Sequence, residues 1–185
     1  MNQPPTIPNV PAEQALCLVC GLCCNGVIFA DVQLQSGDEA ARVQSLGLRL
    51  KSGGRCQPKL VQPCEAYDGS HCRIYAERPK YCCKFECFLL KSVKAGRTER
   101  AGALRIIGRA REQADKVRRL LRELGDSEES LSLGARFRRT ARRMESLELD
   151  EATANLHARL TLAVHDLNRL LAESFYPGET GNHAG

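Results

Sequence analysis

"ALRIIGRAREQADKVRRLLRELG", residues 103–125, carries apolar side chains at Ala103, Ile107, Ala110, Ala114, Val117, Leu121 and Leu124. The gaps alternate between four and three, which is the repeat of an α-helix that buries one face, since a turn takes about 3.6 residues. Ile106 and Leu120 widen the stripe, and Gly125 stands where a helix stops. The stretch predicts one long helix packed by its apolar side.

Downstream the pattern repeats. From Leu131 to Leu147, Leu133, Phe137, Met144 and Leu147 fall on one side of a second helix. Arg136, Arg138, Arg139, Arg142 and Arg143 fall opposite Phe137 and Met144, so they are expected on a solvated face rather than on a nucleic-acid patch. Asp150 is a good N-cap for a third helix carrying Leu156, Leu160, Ala163, Val164, Leu167, Leu170 and Leu171, which Tyr176 and Pro177 end. Three helices joined by short turns predict a bundle over residues 96–176, with its stripes as a hydrophobic core.

Upstream the composition changes abruptly. All ten cysteines lie between Cys17 and Cys87, and the 98 residues after Cys87 hold none. "VIFADVQL" reads as a strand or extended turn, and Ser36 with Glu39 forms a capping-box pattern before a short helix in "EAARVQSLGL". Gly53 and Gly54 break that helix, and from Cys56 to Cys83 the Pro, Gly, Asp and Ser content predicts loops. Such a region buries too little apolar surface to offset its chain entropy and calls for staples. The expected fold class is therefore mainly α, with an irregular, cysteine-rich, metal-stapled N-terminal region over residues 15–95 and a C-terminal three-helix bundle. Residues 1–14 and 177–185, without periodicity, are expected to be flexible tails.

The 185 residues carry a net charge of +5, split almost evenly between the halves, so no strongly basic domain suited to a phosphate backbone is present and nucleic acid is disfavoured as a partner. No apolar run is long enough for a membrane span, and the start "MNQPPTIPNVPAEQ" lacks the basic and apolar regions of a secretory signal. A cytoplasmic location is expected. In that reducing compartment clustered cysteines are metal ligands or catalytic thiols more often than disulfides.

The densest cluster is "CLVCGLCC", residues 17–24. Two residues between cysteines let a tight turn aim both sulfurs at one centre, as a Zn–S bond of about 2.3 Å or an iron–sulfur cluster requires. Cys17, Cys20 and Cys23 can thus share a centre. Adjacent side chains diverge, so Cys24 is expected to face a second centre, to bridge, or to stay free, and the same reasoning separates Cys82 from Cys83. Later ligands come from "RCQPKLVQPCEAYDGSHCRIYAERPKYCCKFEC", residues 55–87. Around these, Arg55, Lys59, Arg73, Arg78, Lys80 and Lys84 outnumber Glu65, Asp68, Glu77 and Glu86, a surround expected to lower thiolate pKa values. Arg78 and Tyr75 read as loop braces, and His71 as an exposed loop residue rather than a ligand.

The opening CxxCxxCC followed by C-x-I-Y-x-x-R-P-x-x-C and F-x-C resembles the YkgJ-type cysteine-cluster family, described as zinc- or iron-chelating. The resemblance covers about residues 15–90. Its pattern falls on Cys17, Cys20, Cys23 and Cys24, then on Cys64, on Cys72 with Ile74 and Tyr75, and on Arg78, Pro79, Cys82 and Phe85, with Cys87 as the trailing cysteine. Cys83 stands where an arginine commonly follows, so Cys82 and Cys83 compete for one ligand position, and Cys56 looks supplementary.

Eight cysteines could close two four-ligand zinc sites. C-x2-C-x2-C equally resembles the three-cysteine run of bacterial ferredoxins, in which case Cys64 or Cys87 would complete an iron–sulfur cluster. The expectation is a metal-binding module, holding zinc or iron through Cys17, Cys20, Cys23, Cys24, Cys64, Cys72, Cys82 and Cys87, whose helices dock a protein partner. The alternative is an iron–sulfur or thiolate-dependent enzyme, although no Ser/His/Asp set, phosphate-binding Gly loop or HExxH motif marks an enzyme class.

Overall fold

The computed structural model describes residues 14–54 and 56–176. Both expected tails, Gln14 excepted, and Arg55 lie outside the described residues. The chain is mainly helical, with α1 (Gln14–Cys20), α2 (Ala40–Ser45), α3 (Lys80–Lys84), α4 (Phe88–Lys94), α5 (Arg100–Glu123), α6 (Leu133–Glu145) and α7 (Glu151–Phe175). Three short strands, β1 (Asp31–Gln33), β2 (Leu50–Lys51) and β3 (Lys59–Val61), form an antiparallel sheet in the order β1-β3-β2.

α5 is the axis of the larger core. It buries Ala103, Ile107, Ala110, Ala114, Val117, Leu120 and Leu121, the stripe that its spacing announces, and packs lengthwise on α7. α7 answers with Leu160, Ala163, Leu167, Leu170, Leu171 and Phe175. Its start is fixed by Asp150, whose Oδ1 accepts the Thr153 N–H at 2.8 Å.

The arginine face of α6 departs from expectation. The buried line of this helix is Leu133, Arg136, Thr140 and Met144, while Leu147 lies exposed beyond its end. Arg136 is only 3% exposed because Asp126, just past the end of α5, is buried as well and needs a cation. Arg136 Nε donates to Asp126 Oδ2 at 2.6 Å, and Arg139 Nη2 donates to its Oδ1 at 2.6 Å. Arg143 donates to the Leu124 carbonyl at the end of α5. Arg138 and Arg142 stay in solvent as expected.

The capping box is not formed either. Helix α2 begins at Ala40 with Glu39 itself as N-cap, so Ser36 lies too far upstream to cap it. The neighbouring Asp38 takes the polar work instead, accepting from the Gln35 N–H at 2.8 Å and the Lys80 N–H at 3.1 Å, which ties this loop to α3.

The hydrophobic core does not divide at residue 95. Leu16, Leu22, Leu89 and Leu90 belong to the same cluster as α5 and α7. Polar ties run with them: Arg111 Nη1 donates to the Val19 carbonyl at 2.7 Å, the Leu133 N–H to Gly26 at 2.9 Å, and the Tyr176 hydroxyl to Ile28 at 3.2 Å. A second, smaller core of Val32, Leu34, Val43, Leu48, Leu60 and Ala66 sits between the sheet and α2. Among the described residues no helix is long and apolar enough to cross a membrane.

Candidate metal centre

Where a tight turn was expected, α1 carries Cys17 and Cys20 one helical turn apart, on one face. The Gly21 N–H closes the helix on the Cys17 carbonyl at 3.3 Å. Gly21 has φ +64°, and a Cβ there would collide with the Tyr67 ring, so only glycine allows this stop and this close approach. The Cys24 and Asn25 N–H groups then bond the Gly21 carbonyl at 3.0 and 2.9 Å, turning Cys23 and Cys24 out of the helix. The Cys24 carbonyl accepts the Cys64 N–H at 2.8 Å and pins the chain leaving β3. A bridge between Tyr67 and Cys72 folds the next loop back, α3 carries Cys82, and Cys87 is the N-cap of α4.

These segments meet around a cavity of about 140 Å³ lined by all eight candidate cysteines, with Cys83 also in its wall. The thiols form one cluster of two overlapping neighbourhoods. Cys20 and Cys23 both feel the charge of Cys17 and Cys87. Cys24 and Cys82 both feel that of Cys64 and Cys72. The two sets are continuous, since Cys23 also feels the charge of Cys24, and Cys24 that of Cys20. Cys20 and Cys87 pack against the larger core, and Cys64, Cys72 and Cys82 against the smaller one.

Backbone amides point at several sulfurs. Cys20 accepts from Leu22, Cys64 from Ala66 and Tyr67, Cys72 from Ile74, and Cys87 from Leu89 and Leu90 in the first turn of α4. Such bonds favour thiolate over thiol. Burial nevertheless dominates. Desolvation of the sulfur pushes Cys17, whose residue is exposed as a whole, up to about 11, and Cys20 and Cys82 up to about 12. Cys23, Cys24, Cys64, Cys72 and Cys87 are raised as well, with burial again the first cause.

The expected lowering by surrounding cations is thus overturned, because few of those cations reach the sulfurs. Lys59 is paired with Asp31, and Lys80 donates to the Ser36 carbonyl. Arg73 and Arg78 do pull on nearby thiols, as do Lys94 and Arg111 from outside the expected set, but desolvation outweighs them.

Arg78 lies 3.6 Å over the Tyr75 ring in the cavity wall, and its Nε is buried without a hydrogen-bond partner. His71 is held on Ser70 and Asp68 in an exposed loop. Cys83 is exposed and its Sγ lies 3.4 Å from the Arg78 carbonyl, whereas the adjacent Cys82 joins Cys64 and Cys72; Cys56 is exposed, away from the cavity.

Sequence reasoning missed three contributors. One is α1, whose apolar Leu16 and Leu18 were the available signal. Another is the aromatic trio of Phe29, Tyr81 and Phe85, with ring centroids 4.9 to 5.8 Å apart, beside the cavity. The third is Arg111, reaching in from α5.

All ten cysteines are free thiols. Among the described residues no three His, Cys, Asp or Glu side chains stand in the arrangement of a formed metal site. The chain matches no family model, no curated protein and no solved structure. The family resemblance therefore rests on the motif residues alone.

Proposed function

We propose that this chain is a metal-binding cysteine-cluster protein with two thiolate centres, Cys17, Cys20, Cys23 and Cys87 in one and Cys24, Cys64, Cys72 and Cys82 in the other. The observation that carries the reading is convergence: eight thiols from five chain segments line one cavity, and the division into two sets of four is part of the proposal. Four soft sulfur donors are the ligand set of structural zinc and of iron–sulfur clusters. The amide donors suit thiolates, and the unfilled Arg78 Nε suits an anionic centre beside it. Burial keeps the free thiols protonated at neutral pH, so metal uptake displaces their protons. Bound metal would supply cross-links: the first centre ties α1 to α4, the second ties the loops around the sheet, and α5 to α7 act as a three-helix bundle that backs the first. On this reading residues 15–95 would be the metal-stapled region of a cytoplasmic module open to a protein partner.

Zinc fits both centres. The first also suits an iron–sulfur cluster, since three of its ligands come from one C-x2-C-x2-C run and it lies against the larger apolar core. Anaerobic purification with elemental analysis and a visible spectrum tests the proposal. Two zinc ions, or iron with acid-labile sulfide, per chain is the expected result. Stoichiometric metal should fall with Ser at any of the eight positions and not with Cys56→Ser. A protein that stays metal-free after anaerobic reconstitution with zinc and with iron and sulfide sinks it.

A further inference from the structure

A second cleft, of about 340 Å³, opens between α5, the start of α6 and the loop that follows β3. Its character is the opposite of the cysteine cavity. Arg111, Arg118 and Arg122 lie seven and four residues apart on α5, so they share one face, and Arg136 closes the cleft from α6. Against these four stand Asp115 and Glu129 in the wall and Asp126 behind Arg136, so cations remain in excess.

The guanidinium groups are braced by acceptors of the cleft wall and, for Arg111, by the Val19 carbonyl behind it. Arg111 donates to the Val19 and Gly69 carbonyls at 2.7 and 3.3 Å, Arg118 to Asp115 at 2.7 Å and the Asn25 carbonyl at 3.4 Å, and Arg122 Nε to Glu129 at 2.9 Å. A guanidinium has five N–H donors in a fixed fork, so each keeps donors beyond those used. One of them is stranded. Arg136 is 3% exposed, its Nε is committed to Asp126, and its Nη2 is buried with no hydrogen-bond partner. A buried donor without an acceptor is costly, and an oxyanion in the cleft would fill it.

We propose that this cleft binds a small organic anion through its phosphate or carboxylate group, held by the forks of Arg111, Arg122 and Arg136. The volume lies near the lower end of small-molecule sites, roughly 300–1,000 Å³, and exceeds the needs of a bare ion. The Tyr67 side chain supplies the less polar wall, so the ligand has a body as well as a charge. Cys64 lines both this cleft and the cysteine cavity, so the anion sits beside the second thiol group, yet its binding does not require that the thiols hold metal.

The test is calorimetric titration of the full chain with inorganic phosphate, glycerol 3-phosphate and succinate, with sodium chloride holding ionic strength constant. Saturable one-to-one binding of a phosphate or a dicarboxylate is expected, and the arm that binds identifies the group recognised. Arg122→Gln and Arg111→Gln should each weaken it by about tenfold or more, with far-UV circular dichroism unchanged. Arg136→Lys, which keeps a cation for Asp126 but removes Nη2, should weaken it too. If that variant fails to fold, the two α5 variants decide. No saturable binding of any probe up to about 10 mM, or binding indifferent to Arg111→Gln and Arg122→Gln, overturns the proposal.

Discussion

The two cores differ in what closes them. The larger gathers twenty buried apolar side chains from α1 and the turn after it, α4, α5, α6 and α7, and helices interlock there through continuous stripes. The smaller has six, drawn from two three-residue strands, one short helix and the loops around them, with Cys64, Cys72 and Cys82 packed on its edge. A helix satisfies its own backbone, so side-chain burial suffices to hold it in place. The loops between Cys24 and Cys82 satisfy theirs only piecemeal, and six side chains cannot offset the entropy of ordering so much chain. The difference teaches where covalent or coordinate links matter: around the small core, far less around the large one.

The strongest way to break this contrast is to remove the metal that the proposed centres hold. Thiolate–metal coordination contributes on the order of 10 kcal/mol to a small site. After chelation, amides of β3, the Tyr67–Cys72 bridge and α3 should lose hydrogen-exchange protection, while α5 and α7 keep theirs. The first centre backs onto the large core, so α1 and α4 should loosen less. Equal loss throughout, or no loss after verified metal removal, would abolish the distinction.

A perturbation confined to the large core should do the reverse. Asp126→Ala leaves Arg136 buried and unpaired, a change that typically costs about 3–5 kcal/mol. The denaturant midpoint of the helices should fall accordingly while metal content stays constant. A loss below about 1 kcal/mol, the range of surface pairs, would mean that solvent reaches Arg136.

Matched truncations sharpen the comparison further. Leu60 in β3 is 1% exposed and Leu121 in α5 is fully buried. Each Leu→Ala change should cost roughly 2–5 kcal/mol, but only Leu60→Ala should speed metal release, because its core carries three of the proposed ligands on its edge. Equal release rates in the two variants would argue that the cores communicate fully.

Legibility followed the same divide. The α5 and α7 stripes could be read because a long regular helix writes its buried face into the spacing, and Asp150 marked the start of α7. Arg136 could not be read, because its burial depends on Asp126, a partner ten residues away whose own burial has no periodic signature. Helix α1 was hidden by its cysteines, which mask a seven-residue apolar turn. The expectation that Cys24 faces a second centre, bridges or stays free rests on the divergence of adjacent side chains alone. Which distant thiol joins which neighbourhood was not legible, since it follows from β3 delivering Cys64 to the Cys24 carbonyl and from α4 bringing Cys87 to α1. Both cysteines expected as completing ligands for the first run, Cys64 and Cys87, line the same cavity as that run.

The smallest effect concerns the sheet's own electrostatics. Lys51 and Lys59 are directly opposed in the β2–β3 register, a destabilising arrangement, and Asp31 on β1 bridges them, with Lys51 Nζ at 2.7 Å and Lys59 Nζ at 3.3 Å. The hydrogen bond from Lys51, aided by Lys59, holds the Asp31 carboxyl below its ordinary value. A carboxylate depressed in the folded state adds stability above its unfolded pKa, near 4, and that stability is lost as pH falls through the lower folded value. Asp31→Asn should therefore reduce sheet protection by about 0.2–1 kcal/mol at pH 7, and the gap between variant and parent should close below about pH 4 and shrink in high salt. Because both proteins are compared at the same pH, changes in metal occupancy common to both cancel. A gap that survives at low pH would point to lost packing rather than lost charge. Even at its upper bound this contribution is about a tenth of what the proposed coordination would supply, so ion pairs across three short strands cannot take the place of such a staple in the small core.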